Sequence, residues 1–583
     1  MTKYSYITFL NSLEYTKAMT KKKIPYGVSN YETIIENNYY YVDKSKYLEI
    51  LENLDERYLF FLRPRKFGKS LFISVLQYYY GVDHKDKFKK LFGEYYIGKN
   101  PTPKANNYYM LKFDFSGIDT YDSKTTYVSF REKVIDGIIA FQTSHRFIPD
   151  AKLEEIKHYE SPSDILSKFL GYFAGVKKGS KIYILIDEYD HFTNELISFR
   201  LTEFKEIVAR NGYVRKFYEV IKTGTGDGIV DRFFGTGVTP VTLDSLTSGF
   251  NIASDKTTDY LFNEMHGFTD EEVKIMLDYY EVENSEEMMS DIRKLYNGSL
   301  FSTEAITRIY NSNMVLFFMS NYLPRNKYPQ ELIDTNIASD YCKIKNIFYI
   351  NNSIEHQQKL NEIITKEETT AVITKKYSFE RGFTPDDFVS LLFYNGMLTI
   401  KEAQLSFIKF QIPNYVIKEI YWSFFKDEIL KKLDIGINES NLQQALNDLA
   451  LNNNMERWIG EIEKVLDLLS NRDYQNFDEK YVKMLFITLA SLSQLYIIKS
   501  EAEVKGEYPD LMYLFRKPYK PNYQFLIELK YLKKTENRKL HKTMDLAKEQ
   551  VKRYFEKPEI KQMEKLKVYA VVFVGKKGHF VEL

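Results

Sequence analysis

At 583 residues the chain exceeds what one hydrophobic core sustains, so about two to four domains are expected. Its net charge of +1, from 81 positive and 80 negative side chains, excludes a globally polycationic nucleic-acid binder but leaves room for a local basic groove. The single cysteine, Cys342, excludes an internal disulfide framework or a Cys-rich zinc site and fits a reducing cytosol.

Met1 to Lys23 is polar and lysine-rich, without the apolar core of a signal peptide. Met484–Ile498 is the most apolar long stretch, but Thr488, Ser491, Ser493 and Gln494 interrupt it and it is shorter than a bilayer requires. A buried helix there, no membrane association and a cytoplasmic location are the expectations.

Three regions read differently in chain order. In the first, 20–255, short apolar runs alternate with helical patterns: Tyr58–Leu62, Met110–Phe115, Lys181–Ile186 and Arg232–Val238. Runs of this length without polar alternation suit strands buried on both faces, hence a parallel α/β sheet. The second, 256–454, is mainly helical, with pieces such as Asn441–Asn452. Thr269 followed by Glu272 is a capping box that starts a helix over Thr269–Tyr280. The third, 455–583, mixes helices with strands at Gln494–Lys499, Asp510–Phe515, Tyr523–Glu528 and Lys567–Val574, an α+β core of its own.

After the first strand comes Arg63-Pro64-Arg65-Lys66-Phe67-Gly68-Lys69-Ser70, followed by the helical Leu71–Tyr80. Strand, loop, Gly-Lys-Ser and helix is the context of a phosphate-binding P-loop. The loop's N–H groups and the helix N-terminus would face the phosphates, Lys69 would reach the β- and γ-phosphates, and the Ser70 hydroxyl would coordinate Mg²⁺. Arg63 stands where the motif usually has its first glycine. The apolar Ile182–Ile186 ends in Asp187-Glu188-Tyr189-Asp190, at the C-terminal edge of a parallel strand, where ligand crevices open. Asp187 would hold Mg²⁺ and Glu188 would polarise the attacking water, unless Asp187 or Asp190 only caps the next helix. Thr239, after the strand Arg232–Val238, resembles the sensor position of additional-strand ATPases; an ordinary strand-to-loop turn reads equally well. Arg200, Arg210, Arg215 and Arg232 are equivalent candidates for an arginine finger.

These segments, together with Ile24-Pro25-Tyr26-Gly27-Val28, Tyr40-Tyr41-Val42-Asp43-Lys44-Ser45, Gly237-Val238-Thr239-Pro240 and Ser248-Gly249-Phe250-Asn251, resemble the bacterial AAA-ATPase-like family over roughly residues 20 to 300. That family characteristically carries arginine at the position of Arg63, so the resemblance implies an intact ATP site. Tyr296-Asn297-Gly298-Ser299-Leu300 lacks the arginine of the family's lid segment, which implies binding of ATP more firmly than rapid turnover.

In the third region Asp510 opens one strand, and Glu528 and Lys530 lie two apart on the next, on one face. With Glu501 they would make a hard oxygen site for Mg²⁺ or Mn²⁺ beside a lysine that stabilises charge on phosphorus. A surface Glu-x-Lys pair on an edge strand is the alternative. Ser500-Glu501 through Gly506, Asp510, Ile527-Glu528-Leu529-Lys530 and Ala547-Lys548-Glu549-Gln550 with Tyr554 resemble the PD-(D/E)XK nuclease domain that often follows this ATPase type. The resemblance implies Asp510 and Glu528 as metal ligands, Lys530 as the catalytic lysine, Glu501 as an accessory acid and Gln550 as a helix residue facing the site. Lys533, Lys534, Arg538, Lys539, His541, Lys542 and Lys548 form either a face for a phosphate backbone or a solvated lysine face. The middle region resembles the family's helical connector, in part winged-helix-like.

The expectation is an ATP-controlled, metal-dependent nuclease acting on DNA or RNA, of the kind that serves defence against foreign nucleic acid. The alternative is a non-catalytic, ATP-switched interaction protein. Homo-oligomerisation is open.

Overall fold

The structure is a computed structural model. It describes residues 21–192, 212–241, 250–334, 336–338, 354–377, 383–433, 439–468, 478–500 and 509–583, with backbone alone for 354 and 428–433. The chain forms two compact units. One comprises Met1–Leu323, Asp334–Ile363 and Glu367–Asn414, the other Pro324–Ile333, Ile364–Lys366 and Tyr415–Leu583.

The first unit is built on five parallel strands, β1 Tyr58–Leu62, β2 Tyr109–Asp114, β3 Ile182–Asp187, β4 Val230–Gly237 and β5 Ser254–Asp255, in the order β2-β3-β4-β1-β5. All six residues of β3 are buried, as a strand covered by helices on both faces must be. Helix α1, Lys69–Tyr80, follows β1 and packs Phe72, Val75, Leu76 and Tyr79 into the core against Leu59 and Phe61. Strand β4 begins two residues earlier than the apolar run suggests. Arg232, which looked like a boundary, is 2 % exposed and lies among Tyr80, Tyr108 and Tyr183.

Helix α2, Asp270–Tyr279, starts at the capping box of Thr269 and Glu272. Helix α3, Ser312–Tyr322, is capped by the Asn311 side chain, which accepts from Asn313 N and Met314 N. The middle region also holds a three-stranded antiparallel sheet: β6 Glu368–Ala371, β7 Thr399–Gln404 and β8 Phe407–Gln411, in the order β6-β8-β7. The hairpin is wing-like, but the preceding helix, Pro385–Tyr394, is buried from Asp387 onward and has no open face to lay in a nucleic-acid groove.

The second unit centres on a mixed sheet: β9 Tyr496–Ser500, β10 Leu511–Phe515, β11 Gln524–Leu532, β12 Leu566–Val574 and β13 Lys577–Glu582, in the order β13-β12-β11-β10-β9. Only β11 and β12 run parallel. Two expectations are corrected and one strand is added. The apolar stretch Met484–Ile498 is no single helix: α4, Glu479–Ser491, stops before Gln494, which takes a left-handed φ of 52°, and β9 follows. Strand β11 continues four residues past Glu528, because Leu529 and Leu532 still bury against the core. A last strand, β13, follows β12; its half-exposed side chains gave no apolar run. Helix α5, Leu540–Phe555, lays Met544, Ala547, Val551 and Tyr554 on the sheet at helical spacing. No helix of the described residues is long and apolar enough to cross a membrane.

Candidate functional site

The loop after β1 is pinned at its first residue, where Arg63 N donates to Gly237 O at 3.2 Å. The Arg63 guanidinium is 1 % exposed and donates to the carbonyls of Leu62, Thr257 and Phe262 at 2.9, 2.7 and 2.8 Å. Its carbon lies over the rings of Phe61 and Phe301, 4.3 and 4.2 Å from their centroids. Burial pushes its pKa down to about 9. The Arg63 side chain is thus a bracket between β1 and the segment 257–262, and only its backbone belongs to the loop. Lys66 and Gly68 take left-handed φ of 68° and 95°. Such reversals turn consecutive N–H groups toward one concavity, and at Gly68 only glycine takes that turn without strain.

Lys69 opens α1 at 7 % exposure, its Nζ donating to Arg63 O at 2.9 Å and Pro64 O at 3.0 Å. Burial lowers its pKa, while Glu188, Asp187 and Asp190 support its charge. Asp187, the last residue of β3, is 4 % exposed; burial raises its pKa and a hydrogen bond with the Ser70 side chain lowers it. Ser70 and Asp187 therefore lie near each other at the loop, although Asp187 is not among the residues lining the cavity that opens there. Glu188 has a left-handed φ of 51° and an oxygen 2.9 Å from His191 Nδ1. Burial works to raise its pKa, but His191, Lys69 and Arg65 together hold it down to about 2.

Asp190 and Thr239 go elsewhere. The Asp190 carboxylate accepts from Val238 N at 3.0 Å, Thr239 N at 2.6 Å and the Thr239 hydroxyl at 2.9 Å. The pair fastens the end of β4, and Thr239 is not among the residues lining the cavity. Arg215 pairs with Glu219 at 3.0 Å, Arg232 is buried, and Arg200 and Arg210 lie outside the described residues.

A cavity of about 430 Å³ opens on the loop. Arg65 to Phe72, Glu188 and His191 line its polar end, and Pro25, Val28, Ile34, Val42, Met265 and Leu316 its apolar end. Residues that the sequence did not single out complete it. The N-terminal end of α3 and the residue before it cap the loop. Asn311 Nδ2 donates to Arg65 O at 3.2 Å, the Ser312 hydroxyl to Lys66 O at 3.2 Å and Asn313 N to Lys66 O at 3.4 Å. Asn-Ser before an apolar helix signals an N-cap, but nothing in it tells that the cap lands on a loop far back in the chain.

The second unit gathers Asp510, Glu528 and Lys530. Leu511 pairs with Ile527 across β10 and β11, which sets Asp510 opposite Glu528. Asp510 Oδ2 accepts from Leu529 N at 2.9 Å. Lys530 Nζ lies 2.8 Å from Glu528 Oε1, 3.6 Å from Asp510 Oδ2 and 3.4 Å from Glu479 Oε1. Glu528 is 1 % exposed, and its Oε2 is buried without a hydrogen-bond partner. Burial first, then the Asp510 charge, pushes its carboxyl up to about 7, against the pull of Lys530. A buried, unmatched carboxylate oxygen beside a second carboxylate fits a hard divalent cation. Among the described residues no group of three or more His, Cys, Asp or Glu side chains is placed to hold a metal.

Glu501 lies outside the described residues. Gln550 is half-buried on α5, one turn before Tyr554, whose pKa is pushed up by burial first, then by the Glu528 and Asp510 charges. Glu479 and Lys483 of α4 come to the site unannounced by any pattern, Lys483 Nζ standing 3.9 Å from Asp510 Oδ1. Lys533, Lys534, Arg538, Lys539, His541 and Lys542 are exposed, with Lys539 paired to Glu536 at 2.7 Å; half-buried Lys548 lies 3.4 Å from Asp545.

Residues 25–247 match the family model described as predicted AAA-ATPase, and residues 477–582 match that of the PD-(D/E)XK nuclease superfamily. A protein of Azotobacter chroococcum mcd 1, described as an uncharacterized protein in vnfD 5'region, is 26% identical over 324 residues, which are 52% of this chain and 54% of that protein. The chain thus spans about half the length of the curated relative it matches.

Proposed function

We propose, for a chain that joins a predicted AAA-ATPase domain to a PD-(D/E)XK nuclease superfamily domain, that it is an ATP-controlled, metal-dependent nuclease of the cytoplasm, acting in defence against foreign nucleic acid. In this reading residues 20–255 bind the nucleotide, 256–454 serve as lid and connector, and 455–583 cut DNA or RNA.

At the first site the loop from Arg63 to Ser70 cradles the phosphates by its backbone, and Lys69 moves from the Arg63 and Pro64 carbonyls to the β- and γ-phosphates. Ser70 and Asp187 would hold Mg²⁺. Glu188, kept ionised by His191, orients the attacking water and accepts its proton. At the second site Asp510 and Glu528 would hold Mg²⁺ or Mn²⁺, with Glu501 and Gln550 as accessories, and Lys530 stabilises the charge that develops on the phosphoryl oxygens. A metal there, when bound, supplies Lewis-acid activation of water and of the phosphodiester.

The observation that supports this reading best is the convergence of Asp510 and Glu528 on Lys530, with Glu528 Oε2 buried and without a hydrogen-bond partner. The test is a cleavage panel of single- and double-stranded DNA and RNA with Mg²⁺ or Mn²⁺, with and without ATP. Asp510→Ala and Lys530→Ala should each abolish cleavage; activity that survives both refutes the assignment. ATP-dependent changes of assembly without cleavage of any substrate would instead favour the interaction protein.

A further inference from the structure

We propose that Lys483 is a second cation of the C-terminal site, one that binds the substrate phosphate; this rests on the nuclease reading above. Lys483 sits inside helix α4 among Val482, Met484, Leu485 and Phe486, and is itself 7 % exposed. Taking an ammonium out of water is costly, and an apolar side chain would serve the packing of this helix better. Something other than packing therefore accounts for a lysine here.

Its position indicates what. Asp510 presents its two oxygens to different groups. Oδ2 accepts from Leu529 N at 2.9 Å and stands 3.6 Å from Lys530. Oδ1 faces Lys483 Nζ at 3.9 Å, an electrostatic pairing too long for a hydrogen bond. Two ammonium groups thus bracket one metal-binding carboxylate. One turn earlier on the same helix face, Glu479 pairs with Lys530 at 3.4 Å. Charges alternate through the site from Glu479 to Lys530, to Asp510 and Glu528, to Lys483.

Lys530 is hemmed by three carboxylates, so its charge is largely compensated within the protein. Lys483 adds a second ammonium beside Asp510, on the oxygen that Lys530 does not face. Both lysines would offset carboxylate charge that otherwise repels a phosphodiester, and removing Lys483 would weaken the electrostatic hold on the phosphate.

The test uses the full chain and a fluorescein-labelled oligonucleotide that the wild type cleaves. Binding is measured by anisotropy in Ca²⁺ over a range of KCl, cleavage in Mg²⁺, and thermal unfolding in parallel. Lys483→Met should lower the slope of log affinity against log salt by about one, as expected when one fewer phosphate is neutralised. It should raise KM about tenfold with a smaller fall in kcat, and leave the unfolding midpoint at or above the wild-type value, because methionine suits the apolar helix. Lys483→Arg should restore slope and KM. A wild type that cleaves, together with a Lys483→Met variant of unchanged slope and KM, overturns the inference alone. So does a variant that keeps the slope but unfolds earlier, which would make Lys483 a structural ion pair. A wild type that neither binds nor cleaves nucleic acid overturns this inference and the nuclease reading together.

Discussion

At Glu528 a carboxylate stands mid-strand with one oxygen buried and unmatched, and its carboxyl is pushed up to about 7 from 4.5. A raised carboxyl binds its proton more tightly in the folded protein than in the unfolded chain. Its stabilising contribution is therefore complete below pH 4.5 and is lost as pH rises through about 7. In EDTA, the unfolding midpoint of the C-terminal unit should decline over that window, by an amount on the order of 2–3 kcal/mol in free energy. Glu528→Gln should flatten the decline, raise stability at neutral pH and abolish cleavage. Calorimetry across pH checks this, and a slope unchanged in Glu528→Gln would assign it to another group. At the other site, Lys69→Ala should weaken ATP binding at least 100-fold, about 3 kcal/mol, read by titration with a fluorescent analogue; unchanged affinity would remove the phosphate site. Lys69, Ser70, Asp187, Asp510, Glu528 and Lys530 were legible as positions, from the order of strand, loop and helix, from the pairing of neighbouring strands and from the family resemblance. Arg63 and Thr239 were legible as positions and not as contacts. Their side chains turn to the carbonyl of Phe262 and to Asp190, choices made by segments that arrive from elsewhere. Asn311, Glu479 and Lys483 left no signal, since each reaches its site through tertiary packing; His191 meets Glu188 three residues back in the chain, a local pairing that no motif marked.

Elements obey the same division. The four strands of the first sheet that read as apolar runs were found within about two residues, because burial on both faces writes itself into composition. The sheet of β6, β7 and β8 and the last strand β13 were not, because half-exposed antiparallel strands carry mixed residues. The turn that carries the cavity wall past the P-loop depends on one glycine. Gly267 has φ +82°, its N–H donates to Phe67 O at 3.1 Å, and a Cβ there would lie 2.5 Å from Tyr310 O. An alanine must either strain the backbone or pull residues 265–268 off the loop, at a cost of about 1–3 kcal/mol. Gly267→Ala should therefore lower the unfolding midpoint of the first unit and weaken ATP binding together, with cleavage in the absence of ATP unaltered. A variant that unfolds and binds ATP like the wild type would show that the wall tolerates the displacement.

For the whole molecule the question is whether the two sites share free energy. If ATP gates cleavage, two states of the chain must differ in affinity for both ligands, and linkage makes the coupling reciprocal. Glu188→Gln should retain ATP without hydrolysing it, since the loop, Lys69, Ser70 and Asp187 are untouched. In that variant, with Ca²⁺ in place of Mg²⁺ at the C-terminal site to prevent cleavage, ATP should shift oligonucleotide affinity by about 5- to 150-fold, the usual span of such couplings. The oligonucleotide must then shift ATP affinity by the same factor, within error. Lys69→Ala should erase both shifts while leaving the ATP-free affinity for oligonucleotide intact, and Asp510→Ala should leave ATP hydrolysis intact while abolishing cleavage. Unequal factors would mean that one titration reports assembly or a third site, and no shift in either direction would reduce the chain to two independent enzymes on one polypeptide. Equal factors that vanish with Lys69 would make the P-loop a switch, whose output is the state of a carboxylate–lysine cluster more than 400 residues downstream.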